Sequence, residues 1–76
     1  MIVSNLRTLL DEAGMSLNQF AKLADLNYDQ AWNLANMDKL AEQGKPVKMI
    51  SVKVLNNACK TLDCELHDLI KYVKDK

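Results

Sequence analysis

The chain has 76 residues, enough for one domain with a modest core and too few for a second. Apolar residues make up 49% and charged residues 26%, a soluble globular balance, while 5% aromatics, two glycines and one proline leave strand-and-turn architectures short of punctuation. Ten basic residues cancel ten acidic ones, which excludes the global basicity of many nucleic-acid binders and leaves room for a local basic face.

Met1-Ile2-Val3-Ser4 lacks the charged start and long apolar run of a signal peptide. No stretch approaches the ~18 apolar residues of a membrane span, so a cytoplasmic protein without membrane contact is expected. Cys59 and Cys64 stand with a single histidine, His67, and this does not make a metal-ligand set. Both thiols read as free packing groups in or near the core. Without a Gly-rich phosphate loop or a nucleophile–base pair, neither an enzyme nor a cofactor is expected.

In chain order, Leu6, Leu9, Leu10 and Ala13 stripe a helix over about 5–13, with Ser4 as N-cap and Gly14 to end it. Ser16 and Gln19 form a capping box that opens a second helix over 17–24, carrying Phe20, Ala21 and Ala24 on one face. Asp25-Leu26-Asn27 interrupts it, and Asn27 with Gln30 caps a third helix over 28–36, striped by Ala31, Leu34 and Ala35. Two short helices across a three-residue turn, with alanines where they approach, outline a helix-turn-helix over about 16–36.

From Met37 to Gln43 helix propensity is good and Gly44 ends the run, which leaves a continued helix and a new turn both open. Lys45 to Ile50 is extended in character because Pro46 disfavours helix at the residue before it. The stretch 37–50 thus reads as an extended connection. Ser51 caps a helix over 52–62, and Glu65 caps a last one over 66–73 striped by Leu66, Leu69, Ile70 and Val73. The expectation is a single all-α domain over 1–76, with helices four and five in about 52–73 and no sizeable sheet. Its core is expected on Leu9, Phe20, Ala21, Leu34, Leu55, Leu62 and Leu69.

Asn5-Leu6 through Leu10, Gly14-Met15-Ser16, Phe20-Ala21-Lys22-Leu23-Ala24 and the run from Ala58 to Ile70 together resemble the lambda-repressor-like (Cro/CI-type, XRE) helix-turn-helix family, the last run being similar to a subgroup of very short members. The resemblance implies a five-helix bundle that binds double-stranded DNA, often as a homodimer, and usually represses transcription. It implies that helix two crosses the backbone while helix three enters the major groove. Carried over, Tyr28, Asp29, Trp32 and Asn33 would face base edges, with Asn36 near the end, while Leu26, Ala31 and Leu34 are buried. Leu17 stands where a phosphate-touching Gln is common.

Three departures qualify this pattern. Asp25 occupies the turn position that commonly holds Gly, the reading helix has no Lys or Arg, and the 37–50 connection is long. The missing charge follows residue 36 instead: between Lys39 and Lys60 five lysines face one acid, a local charge of +4, against −2 over the first 36 residues. In the family this segment lies beside the phosphates, which makes Lys39, Lys45 and Lys48 candidate anchors.

Tyr28 and Trp32 lie four apart, off the Ala31/Leu34 stripe. Three readings stand for them: contacts to thymine methyls or sugars, a tryptophan folded into the core, or an apolar patch with Leu17 for another protein. The sequence therefore points to a sequence-specific DNA-binding transcriptional regulator, a repressor of phage or mobile-element type. Its alternative is an antirepressor-type interaction module that binds another regulator protein.

Overall fold

In a computed structural model that describes residues 2–48 and 50–74, the order is β1 (Ile2–Ser4), α1 (Leu6–Ala13), α2 (Leu17–Leu23), α3 (Tyr28–Ala35), α4 (Met37–Glu42), α5 (Val52–Leu62), α6 (Leu66–Leu69) and β2 (Ile70–Tyr72). The fold is an all-α helix-turn-helix bundle, with six described helices where five were expected.

Local chemistry sets most boundaries. The Gln19 amide donates to Ser16 Oγ at 3.1 Å while Gln19 Oε1 accepts from the Ser16 amide at 3.0 Å, the reciprocal bonding of a capping box. Asn27 and Gln30 repeat it at the start of α3, at 2.8 and 3.0 Å. Between them Asp25 takes the left-handed conformation at φ 57°, so the chain turns there without a glycine. Gly14 ends α1 at φ 65°, as expected. The start of α1 differs: Asn5 is the boundary residue, and Ser4 Oγ accepts from the Leu6 amide at 3.2 Å. Asn5 reaches instead to the other end of the chain. Its amide donates to the Leu69 carbonyl at 2.8 Å and its Nδ2 to the Asp68 carbonyl at 3.1 Å.

The connection after α3 is partly helical. Asn36 bends the chain at φ −115°, α4 follows at once, and Gly44 at φ 70° closes it. Residues 45–48 are irregular and exposed. The expected helix over 66–73 is corrected: α6 stops at Leu69, and Ile70–Tyr72 is a strand antiparallel to β1, with Ile2 opposite Tyr72, Val3 opposite Lys71 and Ser4 opposite Ile70. Leu66 and Val73, the outer members of the expected stripe, are 50% and 45% exposed. Burial falls off after Leu69, with Ile70 half-buried and Lys71 and Tyr72 exposed, and the β-branched and aromatic Ile70 and Tyr72 suit an edge strand. The two-stranded ribbon closes the termini together, and α4 packs on β1.

The core gathers Leu6 and Leu10 of α1, Phe20 and Ala21 of α2, Leu26 of the turn, Ala31, Leu34 and Ala35 of α3, Val54 and Ala58 of α5, and Leu69. Phe20, Ala21, Leu34 and Leu69 were expected there. Leu9, Leu55 and Leu62 are only partly buried and pack against it, because Val54 and Ala58 carry the inward face of α5. No helix among the described residues is long and apolar enough to cross a membrane.

Candidate nucleic-acid interface

The helix-turn-helix is held by a buried seam. Ala21 of α2 and Ala24 at its C-terminal cap are buried with Leu26, Ala31 and Leu34, all 8% exposed or less, so small side chains allow α2 and α3 to approach closely. Burying that seam leaves the opposite side of α3 to solvent. Tyr28 is 51% exposed and Trp32 39%, one turn apart on that side, with Asp29 exposed beside them. Trp32 is thus not a core tryptophan. Asp29 has a local role as well, since a carboxylate in the first turn suits the positive end of the helix.

The two asparagines differ. Asn33 is half-buried, and its Nδ2 donates to the Asp29 carbonyl at 2.8 Å inside the helix. To read a base with that amide, Asn33 must exchange this bond. Asn36 is 5% exposed and committed to the protein: Nδ2 donates to the Trp32 carbonyl at 2.8 Å, and Oδ1 accepts from Arg7 Nη2 at 2.8 Å. It therefore sits apart from the outward face of α3. Arg7 was missed in the sequence, where nothing local marks a partner 29 positions away.

Lys39 on α4 and Lys45 and Lys48 in the irregular segment are all exposed. Among the described residues no ion pair engages their ammonium groups. The cations therefore lie just downstream of α3, which itself carries none. Leu17, the first residue of α2, is half-buried against the core and has no donor to offer a phosphate.

This arrangement suits a rod-shaped polyanion: a helix face of two aromatics and one acid that can approach base edges, followed by free cations that can neutralise backbone. The family model for the Cro/C1-type HTH DNA-binding domain matches residues 5–75. No curated protein matches the chain.

Proposed function

The chain belongs to the Cro/C1-type helix-turn-helix DNA-binding family, and from that premise we propose a sequence-specific transcriptional regulator that acts on double-stranded DNA as a repressor. The observation that carries this reading is the solvent face of α3: Tyr28, Asp29 and Trp32 point outward while Leu26, Ala31 and Leu34 fix the helix from behind. Tyr28, Trp32 and Asn33 contact bases in the major groove, and Lys39, Lys45 and Lys48 bind flanking phosphates. The protein works in the cytoplasm as a homodimer on a two-fold site and is of phage or mobile-element type, its 76 residues forming one DNA-binding domain.

One observation favours a second reading. An α3 without a cation, bearing two exposed aromatics and an acid, is also the face of a module that blocks another regulator protein. Gel-shift of the purified protein against fragments of its own promoter, at several salt concentrations, separates the two. Saturable binding that weakens steeply with salt supports DNA recognition. Failure to bind at low salt, where phosphate contacts are strongest, supports the protein partner.

A further inference from the structure

The C-terminus of α5 brings its two cysteines together. Asp63 adopts the left-handed conformation at φ 51°, its amide bonds the Lys60 carbonyl at 3.4 Å, and the Cys64 amide bonds the Cys59 carbonyl at 3.0 Å. This is the paired bonding of a Schellman terminus, in which the residue two past the helix end packs its side chain on the residue three before it. Here those residues are Cys64 and Cys59. Both thiols are free and half-buried, in a groove they share with Leu55 and Leu66.

We propose that Cys59 and Cys64 are an oxidisable pair that closes into a reversible intrachain disulfide, locking the end of α5 to the entry of α6. The backbone bond between the two residues draws their Cα atoms toward the ~4.4–6.8 Å separation that a disulfide needs. A small-molecule disulfide such as oxidised glutathione supplies the oxidant. One cysteine gives its proton to water, and its thiolate attacks the glutathione S–S bond, expelling one glutathione thiolate and leaving a mixed disulfide. The second cysteine, deprotonated in turn, attacks the protein sulfur of that bond and expels the other glutathione thiolate. Two protein thiols are oxidised to one disulfide, and one glutathione disulfide is reduced to two thiols.

Burial first, then the neighbouring Cys59 thiol, pushes the Cys64 pKa up to about 11, with Asp68 and Glu65 adding to the effect. The Cys64 thiol therefore stays protonated near neutral pH, and closure quickens as pH climbs.

The test is to incubate the reduced protein with oxidised glutathione and follow intact mass, thiol alkylation and melting. The expected product has lost two hydrogens, resists iodoacetamide at both positions, melts on the order of 10 °C higher and returns on reduction. Cys59→Ser and Cys64→Ser should each stop at a single glutathione adduct. A wild-type chain that keeps two alkylatable thiols, accumulates glutathione adducts or links to a second chain overturns the proposal.

Discussion

The Arg7 guanidinium donates to Asn36 Oδ1 at 2.8 Å, and so joins α1 to the end of α3 across 29 positions of sequence. The other end of the same amide holds the Trp32 carbonyl, which makes Asn36 the residue that fixes how α3 leaves the helix-turn-helix. Replacing Asn36 with Ala removes both bonds, one of them to a charged group, and should cost about 1.5–3 kcal/mol. Arg7→Ala should cost less because Arg7 is exposed, and the double variant should fall short of the sum. Thermal melts of the three proteins check this. At temperatures where it is folded, Asn36→Ala should keep the parent's preference among operator variants, since a buried amide reads no base.

Phe20 of α2 is fully buried, and it is the largest side chain in the core. Phe20→Ala should cost about 3–5 kcal/mol, a large share of the roughly 4–11 kcal/mol expected for a domain of this size. Urea titration should give a much lower midpoint with little change in slope. A parental midpoint would mean that the core is centred elsewhere.

How much of this was legible in the sequence depends on how local each interaction is. The starts of α2 and α3 could be read directly, because Ser16 with Gln19 and Asn27 with Gln30 complete their bonding within four residues. The outward face of α3 followed from the Ala31/Leu34 stripe opposite it. The end of the chain was ambiguous: Leu66, Leu69, Ile70 and Val73 satisfy a helical period, while Ile70-Lys71-Tyr72 also satisfies a strand. Pairing with Ile2–Ser4, at the far end of the sequence, decides for the strand. Asn36 was placed near the end of the reading helix from its position there, yet its burial depends on Arg7, a partner that no local pattern announces.

Cys64 gives the domain an alkaline weakness. Its thiol titrates at 9.0 when unperturbed and at about 11 in the folded chain, with burial as the first cause and Cys59 as the second. Between those values the unfolded chain has released a proton that the folded chain retains, so stability falls as pH rises from 9.0 to about 11. Discounted for partial solvent access, the loss should be about 1 kcal/mol. Denaturation of the wild type and Cys64→Ser under a phosphine reductant measures it, because other alkaline titrations are common to both. A stability difference that stays constant from neutral pH upward would contradict the assignment.

The last prediction separates positioning on DNA from reading it. Lys45 and Lys48 are exposed cations without an ion pair among the described residues. Lys45→Ala and Lys48→Ala should therefore weaken binding to all sequences alike. Each should flatten the plot of log K against log salt by about one unit. Asn33→Ala should instead cost roughly 1–3 kcal/mol on the specific site and little on random DNA, with the salt slope kept because no counterion is released. Trp32 is 39% exposed, so Trp32→Ala should cost less than the ~3–5 kcal/mol of a fully buried aromatic and leave the domain folded while it loses the partner, whether that partner is DNA or protein. The lysine and Asn33 variants then decide which it is. If all three bind their best DNA as the parent does, α3 does not lie in the groove, and its aromatic face belongs to another protein.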